Sequence, residues 1–179
     1  PEEIAAFYRE SEALGADLDA WHQTPERKAW TQFIVNVAAA NKVQSVLDVG
    51  AGGGQDILAL IHSAPLGTYS FAAVEPNRDL RYRLGAVAVP DISEIKDAFG
   101  LVLCIDVLEH VPDPDALLAQ VMERVKVGGL LIEATATHDQ STPLHLPQLE
   151  GWEATPTLQK NGFVPVETLG RLVVWQRHE

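Results

Sequence analysis

From Val43 onward, short apolar runs alternate with segments whose apolar residues recur every three or four positions. The short runs have the length and composition of buried β-strands, and the periodic segments are typical of amphipathic helices. This alternation predicts an α/β fold with a doubly wound, mostly parallel sheet that carries helices on both faces. Five strands are predicted in this part, at residues 43–50, 69–75, 86–89, 99–106 and 129–135.

The ends of the helices between these strands are marked by their own residues. One helix begins near Gly54, and Asn77 is suited to cap a second helix that ends at Gly85. Asp113 followed by Pro114 is a typical start for a third helix, for which the glycine pair at 128–129 provides a stop.

The two ends of the chain depart from the alternating pattern. Residues 162–177 predict two strands joined by a tight turn at 169–170, hence an antiparallel C-terminal pair that completes a seven-stranded sheet. At the other end, one helix is predicted over residues 2–14, and Thr24 with Pro25 begins another that has an apolar stripe. We therefore expect a single domain over residues 1–179, with N-terminal capping helices in 1–42 and a Rossmann-like core in 43–179.

Charge narrows the range of partners. The 179 residues include 13 Lys and Arg against 25 Asp and Glu, a formal net charge of -12, so a nucleic-acid partner is not expected. One cysteine excludes an internal disulfide, and no apolar run is long enough to cross a membrane. We expect a cytoplasmic protein that is a monomer or a homodimer.

The segment VLDVGAGGGQD at residues 46–56 is the strongest chemical signal. A strand that ends in glycines and leads into a helix lets a ligand approach the backbone closely. The dinucleotide fingerprint requires a third glycine three positions after Gly52, where this chain has Gln55. This difference disfavours a dinucleotide oxidoreductase.

Two acidic residues indicate what the ligand contains. Asp48, just before the glycines, is unfavourable beside a pyrophosphate but suits an ammonium group. Glu75 ends the second strand, where an acid can accept hydrogen bonds from ribose hydroxyls. The predicted ligand has a ribose, an amino group and little or no phosphate.

These residues resemble those of the class I, seven-stranded, S-adenosylmethionine-dependent methyltransferases. VLDVGAGGG is similar to the first motif of that family, AVEPN to its second, LVLCIDVLEHVPDP to its fourth-strand motif and VKVGGLLIEAT to its late motif. Four motifs in the right order and spacing cover most of the chain from Val43 onward. The resemblance implies a methyltransferase that uses S-adenosylmethionine.

The resemblance also implies cofactor-binding residues. Asp48 would support the amino group, Glu75 would hold the ribose, and Pro76 would lie beside the adenine. The other residues that the resemblance assigns are Gly50, Ala51 and Gly52 under the methionine part, Asp91 and Ile92 at the adenine, Cys104, Ile105 and Asp106 near the sulfonium, and His110 at the edge of the site.

Several of these residues have a structural interpretation as well. Asp91 is equally suited to cap the turn before Ser93, and His110 to bind backbone near a helix start. Cys104 in a buried strand is most simply a small apolar residue. Glu133 faces either the substrate or water.

The segment after the fifth strand supplies the acid–base candidates. His138 and His145 lie there, and His138 is closer to the strand end. With Asp139 they match no standard metal-site spacing, so no metal is expected. Tyr8, Trp21, His22 and Trp30 are candidates to close over the pocket.

The function predicted is methyl transfer from S-adenosylmethionine to an oxygen, nitrogen or carbon nucleophile of a small-molecule acceptor. Two alternatives remain: a non-catalytic methyltransferase-like binding domain, and a methyltransferase of a protein substrate. Methylation of nucleic-acid bases is disfavoured because residues 104–108 lack the Asn/Asp-Pro-Pro-aromatic pattern of that chemistry.

Overall fold

A twisted sheet of seven strands in the order β3-β2-β1-β4-β5-β7-β6 forms the centre of the computed structural model, which describes residues 2–65, 67–136, 146 and 149–179. The strands are β1 (Ser45–Val49), β2 (Ser70–Val74), β3 (Ala88–Val89), β4 (Phe99–Ile105), β5 (Val125–Ala134), β6 (Phe163–Leu169) and β7 (Leu172–Arg177). Six of them point the same way, and β7 runs antiparallel to its neighbours β5 and β6. The predicted fold class and the antiparallel C-terminal pair are confirmed.

Seven helices surround the sheet in the described part of the chain. They are α1 (Glu2–Glu10), α2 (Leu14–His22), α3 (Pro25–Ala40), α4 (Gln55–Ser63), α5 (Arg78–Leu84), α6 (Pro114–Glu123) and α7 (Thr155–Lys160). Thr24, Asn77 and Asp113 cap α3, α5 and α6 through their side chains, as the sequence predicts. None of these helices combines the length and apolarity that a membrane crossing requires.

The core consists of two apolar layers, one on each face of the sheet. Trp30 and Ile34 of α3 pack on Val46 and Leu101 in one layer. Leu118 of α6 and Leu158 of α7 pack on the other face. Because both faces are covered, the central strands are apolar throughout, which explains their continuous apolar runs.

The N-terminal helices differ from the prediction. The helix predicted over residues 2–14 ends at Glu10, and a second helix, α2, was missed. The side-chain amide of Asn77 donates to the carbonyl oxygens of Tyr8 and Ser11, at 3.0 and 3.1 Å. These bonds satisfy carbonyls at the end of α1 from a distant part of the chain, so the local sequence pattern did not show the break.

The region around the glycine pair also differs. α6 ends at Glu123, and the pair lies inside β5, where the register moves from Phe99 opposite Val125 to Leu101 opposite Leu130. A Cβ on Gly129 would lie 2.9 Å from the Lys126 carbonyl oxygen. The glycine pair therefore permits a bulge in β5 and does not end the helix α6.

The predicted strand at 86–89 is shorter in the structure, where only Ala88–Val89 form β3, because residues Gly85–Val87 form a 3-10 turn.

A buried ion pair joins α3 to α4. Arg27 bonds both carboxylate oxygens of Asp56, and the Thr31 hydroxyl donates to the same carboxylate at 2.7 Å. Both partners of the ion pair are buried. The contact fixes the helix that follows the glycine turn against the longest helix of the N-terminal segment.

We expect Arg27→Met to lower the free energy of unfolding by about 3–5 kcal/mol, because the Asp56 carboxylate would stay buried without its cation. Urea denaturation followed by circular dichroism measures this change. Lys28→Met, at the exposed neighbouring position, is the matched control and should have little effect. An equal loss in both variants would contradict a structural role for the pair.

Candidate active site

The glycine turn lies at the carboxyl edge of the sheet, between β1 and α4. Gly50 and Gly52 have φ angles of +73° and +53°, a region that side chains disfavour. A Cβ on Gly50 would come within 2.4 Å of the Val107 side chain, beyond β4. The amides of Gly50 and Ala51 donate to the Val74 carbonyl oxygen at 2.8 and 3.1 Å. The turn is thus fixed to β2, and its bare backbone faces the chain after β4, where the strand order reverses and α/β sheets bind ligands.

Asp48 is a buried carboxylic acid within β1. Burial raises the pKa of Asp48 to about 8, the negative charges of Asp56 and Glu75 add to the effect, and Arg27 opposes it. A nearby cation would stabilise the ionised form of such a buried carboxyl group and lower its pKa. The structure therefore places a buried carboxyl group just before the glycine turn, and its pairing with an ammonium group stays a prediction.

Glu75 connects the ends of β1 and β2. Its carboxylate accepts hydrogen bonds from the main-chain amides of Gly52 at 2.7 Å and Asn77 at 2.8 Å. The main-chain carbonyls of Glu75 and Pro76 in turn accept from Arg81. Burial raises the pKa of Glu75, and the two amide bonds work against that rise. Each carboxylate oxygen keeps acceptor capacity for a further donor such as a ribose hydroxyl.

Asp91 and Ile92, the predicted adenine contacts, have structural roles in the fold. The Asp91 side chain is exposed and accepts from the Ser93 amide at 2.8 Å, which caps a 3-10 turn over Ile92–Glu94. The bonds from Ser93 lower the pKa of Asp91. Ile92 lies in the core. The structure thus displays the capping role, and an adenine contact by these two residues stays a prediction.

The end of β4 brings charge to the site. Cys104 is fully buried, and burial raises the pKa of its thiol. Asp106, with a φ of +52°, accepts a hydrogen bond from Arg171 at 2.9 Å. The Arg171 guanidinium also lies over the Trp30 ring, 5.0 Å from its centre. Arg171 carries no signal in the sequence, because only the hairpin of β6 and β7 brings that residue to the edge.

Two further groups border this region. The His110 ring packs against Tyr8 of α1 with ring centres 4.8 Å apart. The Glu109 carboxylate, with the residue only 1% exposed, accepts from the Ala136 amide at 2.9 Å. Burial and Asp106 raise the pKa of Glu109 to about 7. Burial, with Glu109 and Asp106, also raises the pKa of Tyr8.

The N-terminal helices cover the glycine turn. A Cβ on Gly52 would lie 3.1 Å from a methyl group of Leu18, and Asp19 accepts from Gln55 at 2.6 Å. Together with Asn77, these contacts place α1 and α2 over the site. Tyr8 was expected to close over the pocket from sequence, but Leu18 was not, because nothing in its local pattern distinguishes it from a core leucine.

The predicted acid–base residues His138 and His145 lie outside the described residues, so their role stays a prediction. The absence of a bound metal also stays a prediction.

The residues present fit S-adenosylmethionine. The buried Asp48 carboxyl suits its amino group, and Glu75 suits its ribose. Because Gly50 and Gly52 carry no side chains, Val107 and Leu18 can lie close to the turn. Two cations near the turn are already engaged within the protein: Arg27 pairs with Asp56, and Arg81 bonds the main-chain carbonyls of Glu75 and Pro76.

Comparison with known proteins decides the family. The profile of the methyltransferase domain family matches residues 20–175. The chain belongs to this family. The methyltransferase domain is also 31% identical over 123 residues to the ubiquinone biosynthesis O-methyltransferase of Pseudomonas syringae pv. tomato, a match that covers 62% of this chain and 50% of that protein. The chain thus spans about half the length of the curated relatives it matches.

Solved structures share the fold of this methyltransferase domain. The sugar N-methyltransferase KedS8 of Streptoalloteichus superposes with a TM-score of 0.67 at 16% identity, covering 92% of this chain and 93% of that one. The 1,6-didemethyltoxoflavin-N1-methyltransferase of Burkholderia thailandensis, bound to S-adenosylhomocysteine, gives 0.66 at 18% identity, covering 93% and 84%. The predicted family, fold class and S-adenosylmethionine cofactor are confirmed.

We expect Asn77→Asp to loosen the N-terminal helices of this methyltransferase domain. The aspartate can still cap α5, but it cannot donate to the carbonyls of Tyr8 and Ser11. If the two lost hydrogen bonds stabilise the complex by about 1.4 kcal/mol while α1 covers the site, S-adenosylhomocysteine should dissociate roughly tenfold faster. Stopped-flow tryptophan fluorescence measures this rate. Asn161→Asp, directly after α7, is the control, and an unchanged rate in Asn77→Asp would contradict the covering role.

Proposed function

We propose that this chain catalyses methyl transfer from S-adenosylmethionine to a small-molecule acceptor. The observation that carries the proposal is the pair of buried carboxyl groups, Asp48 and Glu75, on either side of the bare glycine turn. This arrangement favours a ligand with a cation and a ribose. It disfavours a phosphorylated carrier, because the Glu75 carboxylate, and Asp48 once it has lost its proton, would repel the phosphates.

The protein's part in the reaction is to bind, orient and exclude water. When bound, S-adenosylmethionine supplies a methyl group on a positively charged sulfur. Asp48 would hold the amino group, Glu75 the ribose hydroxyls and the segment 104–106 the region of the sulfur. The covering helices keep water away, and alignment of nucleophile and methyl group in a water-poor pocket provides much of the acceleration.

The acceptor would bind above β4 and β5, between the N-terminal helices and the segment that follows β5. Both the O-methyltransferase relatives and the N-methyltransferase neighbours named above act on small molecules by their names. This supports a small-molecule acceptor with an oxygen or nitrogen nucleophile. The acidic net charge of -12 supports the same choice over a nucleic acid.

We expect Glu75→Gln to weaken binding of S-adenosylhomocysteine by about 10–100-fold, because charge-assisted bonds to the ribose are lost and the new amide opposes the donors of Gly52 and Asn77. Isothermal titration calorimetry measures the affinity. Glu94→Gln, at an exposed position, should bind like the original chain. Absence of S-adenosylhomocysteine binding by the original chain, or tight binding of NADH in its place, would overturn the proposed function.

We also expect cofactor binding to depend on pH through Asp48. With its pKa raised to about 8 by burial, Asp48 is largely protonated at pH 6.5 and must lose its proton to pair with an ammonium group. Affinity for S-adenosylhomocysteine should therefore rise between pH 6 and 8, with proton release seen in buffers of different ionisation enthalpy. Asp48→Asn should bind more weakly and abolish the proton release. Equal proton release in the variant would assign the titration to another group.

A further inference from the structure

Glu133 lies at the reacting edge of the sheet without a role in the cofactor site described above. It is the next-to-last residue of β5, and it pairs in register with Cys104 of β4. Neighbouring strands are about 4.8 Å apart. Glu133 is therefore adjacent to the segment 104–106, on the side away from Asp48 and Glu75, where an acceptor would approach.

The setting of Glu133 is unusual for a structural residue. The residue is 6% exposed, and its neighbours Leu131, Ile132 and Ala134 are fully buried. The Thr135 hydroxyl donates to Oε1 of Glu133, and within the described residues no other hydrogen bond reaches this carboxylate. Oε2 is left to take a proton. A carboxylate in an apolar strand costs free energy, and no helix cap, turn or ion pair of the described fold uses it.

The charged groups around Glu133 come from several elements. Asp106 follows β4, Arg171 lies in the turn between β6 and β7, and the Cys104 thiol is its neighbour in the sheet. Burial raises the pKa of Glu133 to about 7; Asp106 adds to the rise, whereas the Thr135 hydroxyl and Arg171 oppose it. Glu133 can thus exist in both protonation states near neutral pH.

Glu109, the other buried glutamate of this region, has a different role. Its Oε1 accepts from the Ala136 amide, and its main-chain carbonyl accepts from the Leu146 amide at 3.1 Å. These bonds attach the chain after β5 to Leu108–His110, a 3-10 turn that follows β4. Glu109 therefore holds backbone in place, whereas Glu133 bonds only a side chain two residues away.

We propose that Glu133 is the catalytic residue that takes the proton from the acceptor, whose nucleophile is a phenolic hydroxyl or an amine. This inference rests on the proposed methyl transfer. A lone pair of the acceptor oxygen or nitrogen forms the bond to the methyl carbon. The bond from that carbon to sulfur breaks with its electron pair going to sulfur, and the acceptor proton goes to Oε2 of Glu133.

The acceptor class follows from the strength of the base. A carboxylate that binds its proton near neutrality can assist ionisation of a phenol or an alkylammonium, whose pKa values lie near 10. An aliphatic hydroxyl is far less acidic and is not expected to react.

The test uses the full chain with methyl-tritiated S-adenosylmethionine and a panel of catechol, phenol, benzylamine and cyclohexanol. The original chain should methylate a phenolic or amine member and not cyclohexanol, with a single-turnover rate that rises with pH and levels off above about 7, as Glu133 becomes ionised. Glu133→Gln should lower that rate about 100-fold or more and lose this pH dependence. Its affinity for S-adenosylhomocysteine should stay within about twofold.

Two further variants complete the test. Glu167→Gln, at an exposed position of β6, should react like the original chain. Thr135→Val removes the hydroxyl that stabilises the Glu133 carboxylate, so the rate should level off at a higher pH than in the original chain. This second variant keeps the test decisive if Glu133→Gln folds poorly.

The outcomes separate the inference from the proposed function. An unchanged rate in Glu133→Gln, an unmoved pH dependence in Thr135→Val, or no reaction with phenols and amines by a chain that binds S-adenosylhomocysteine would overturn the role of Glu133. Failure to bind S-adenosylhomocysteine would overturn the proposed function itself.

Discussion

The carboxylate of Glu75 is the contact on which the architecture of the site depends. It accepts the amides of Gly52 and Asn77, and so ties the glycine turn to the end of β2. Asn77 then extends this connection through its side chain to the backbone of Tyr8 and Ser11 in the N-terminal segment. One buried acid thereby positions the floor of the site, and its neighbour positions the cover.

The rest of the edge is built from acids that the fold keeps away from water. Asp48, Glu109 and Glu133 are buried, and burial raises the pKa of each. Arg171 is the cation within reach of Asp106 at the same edge, among the described contacts, and it is 39% exposed at its side chain. Because their pKa values are raised, these acids keep part of their protons near neutral pH, which explains why acids at successive strand ends can coexist there.

Sequence could predict the parts of the fold that follow from local patterns. The central strands, the caps at Thr24, Asn77 and Asp113, and the glycine turn all follow from periodicity and backbone chemistry. The break before α2 and the bulge at Gly129 depend on distant groups, so the local pattern missed them. The helix α7 was missed because it has only six residues and no side-chain cap at its start. Asp48 and Glu75 could be predicted as site residues because they lie next to the glycines and at the end of a predicted strand. Arg171 and Leu18 could not be predicted, because only the three-dimensional fold brings them to the site.

The bonds between Asn77 and the segment of Tyr8 and Ser11 have a consequence for synthesis of the chain. Their partners are separated by 69 and 66 residues, so α1 leaves the ribosome well before the amide that receives it exists. During that interval the first helix has only local contacts, and a short isolated helix is marginal in water. Vectorial translation therefore delays docking of this cover until Asn77 has been made, although the residues of the cover are made first.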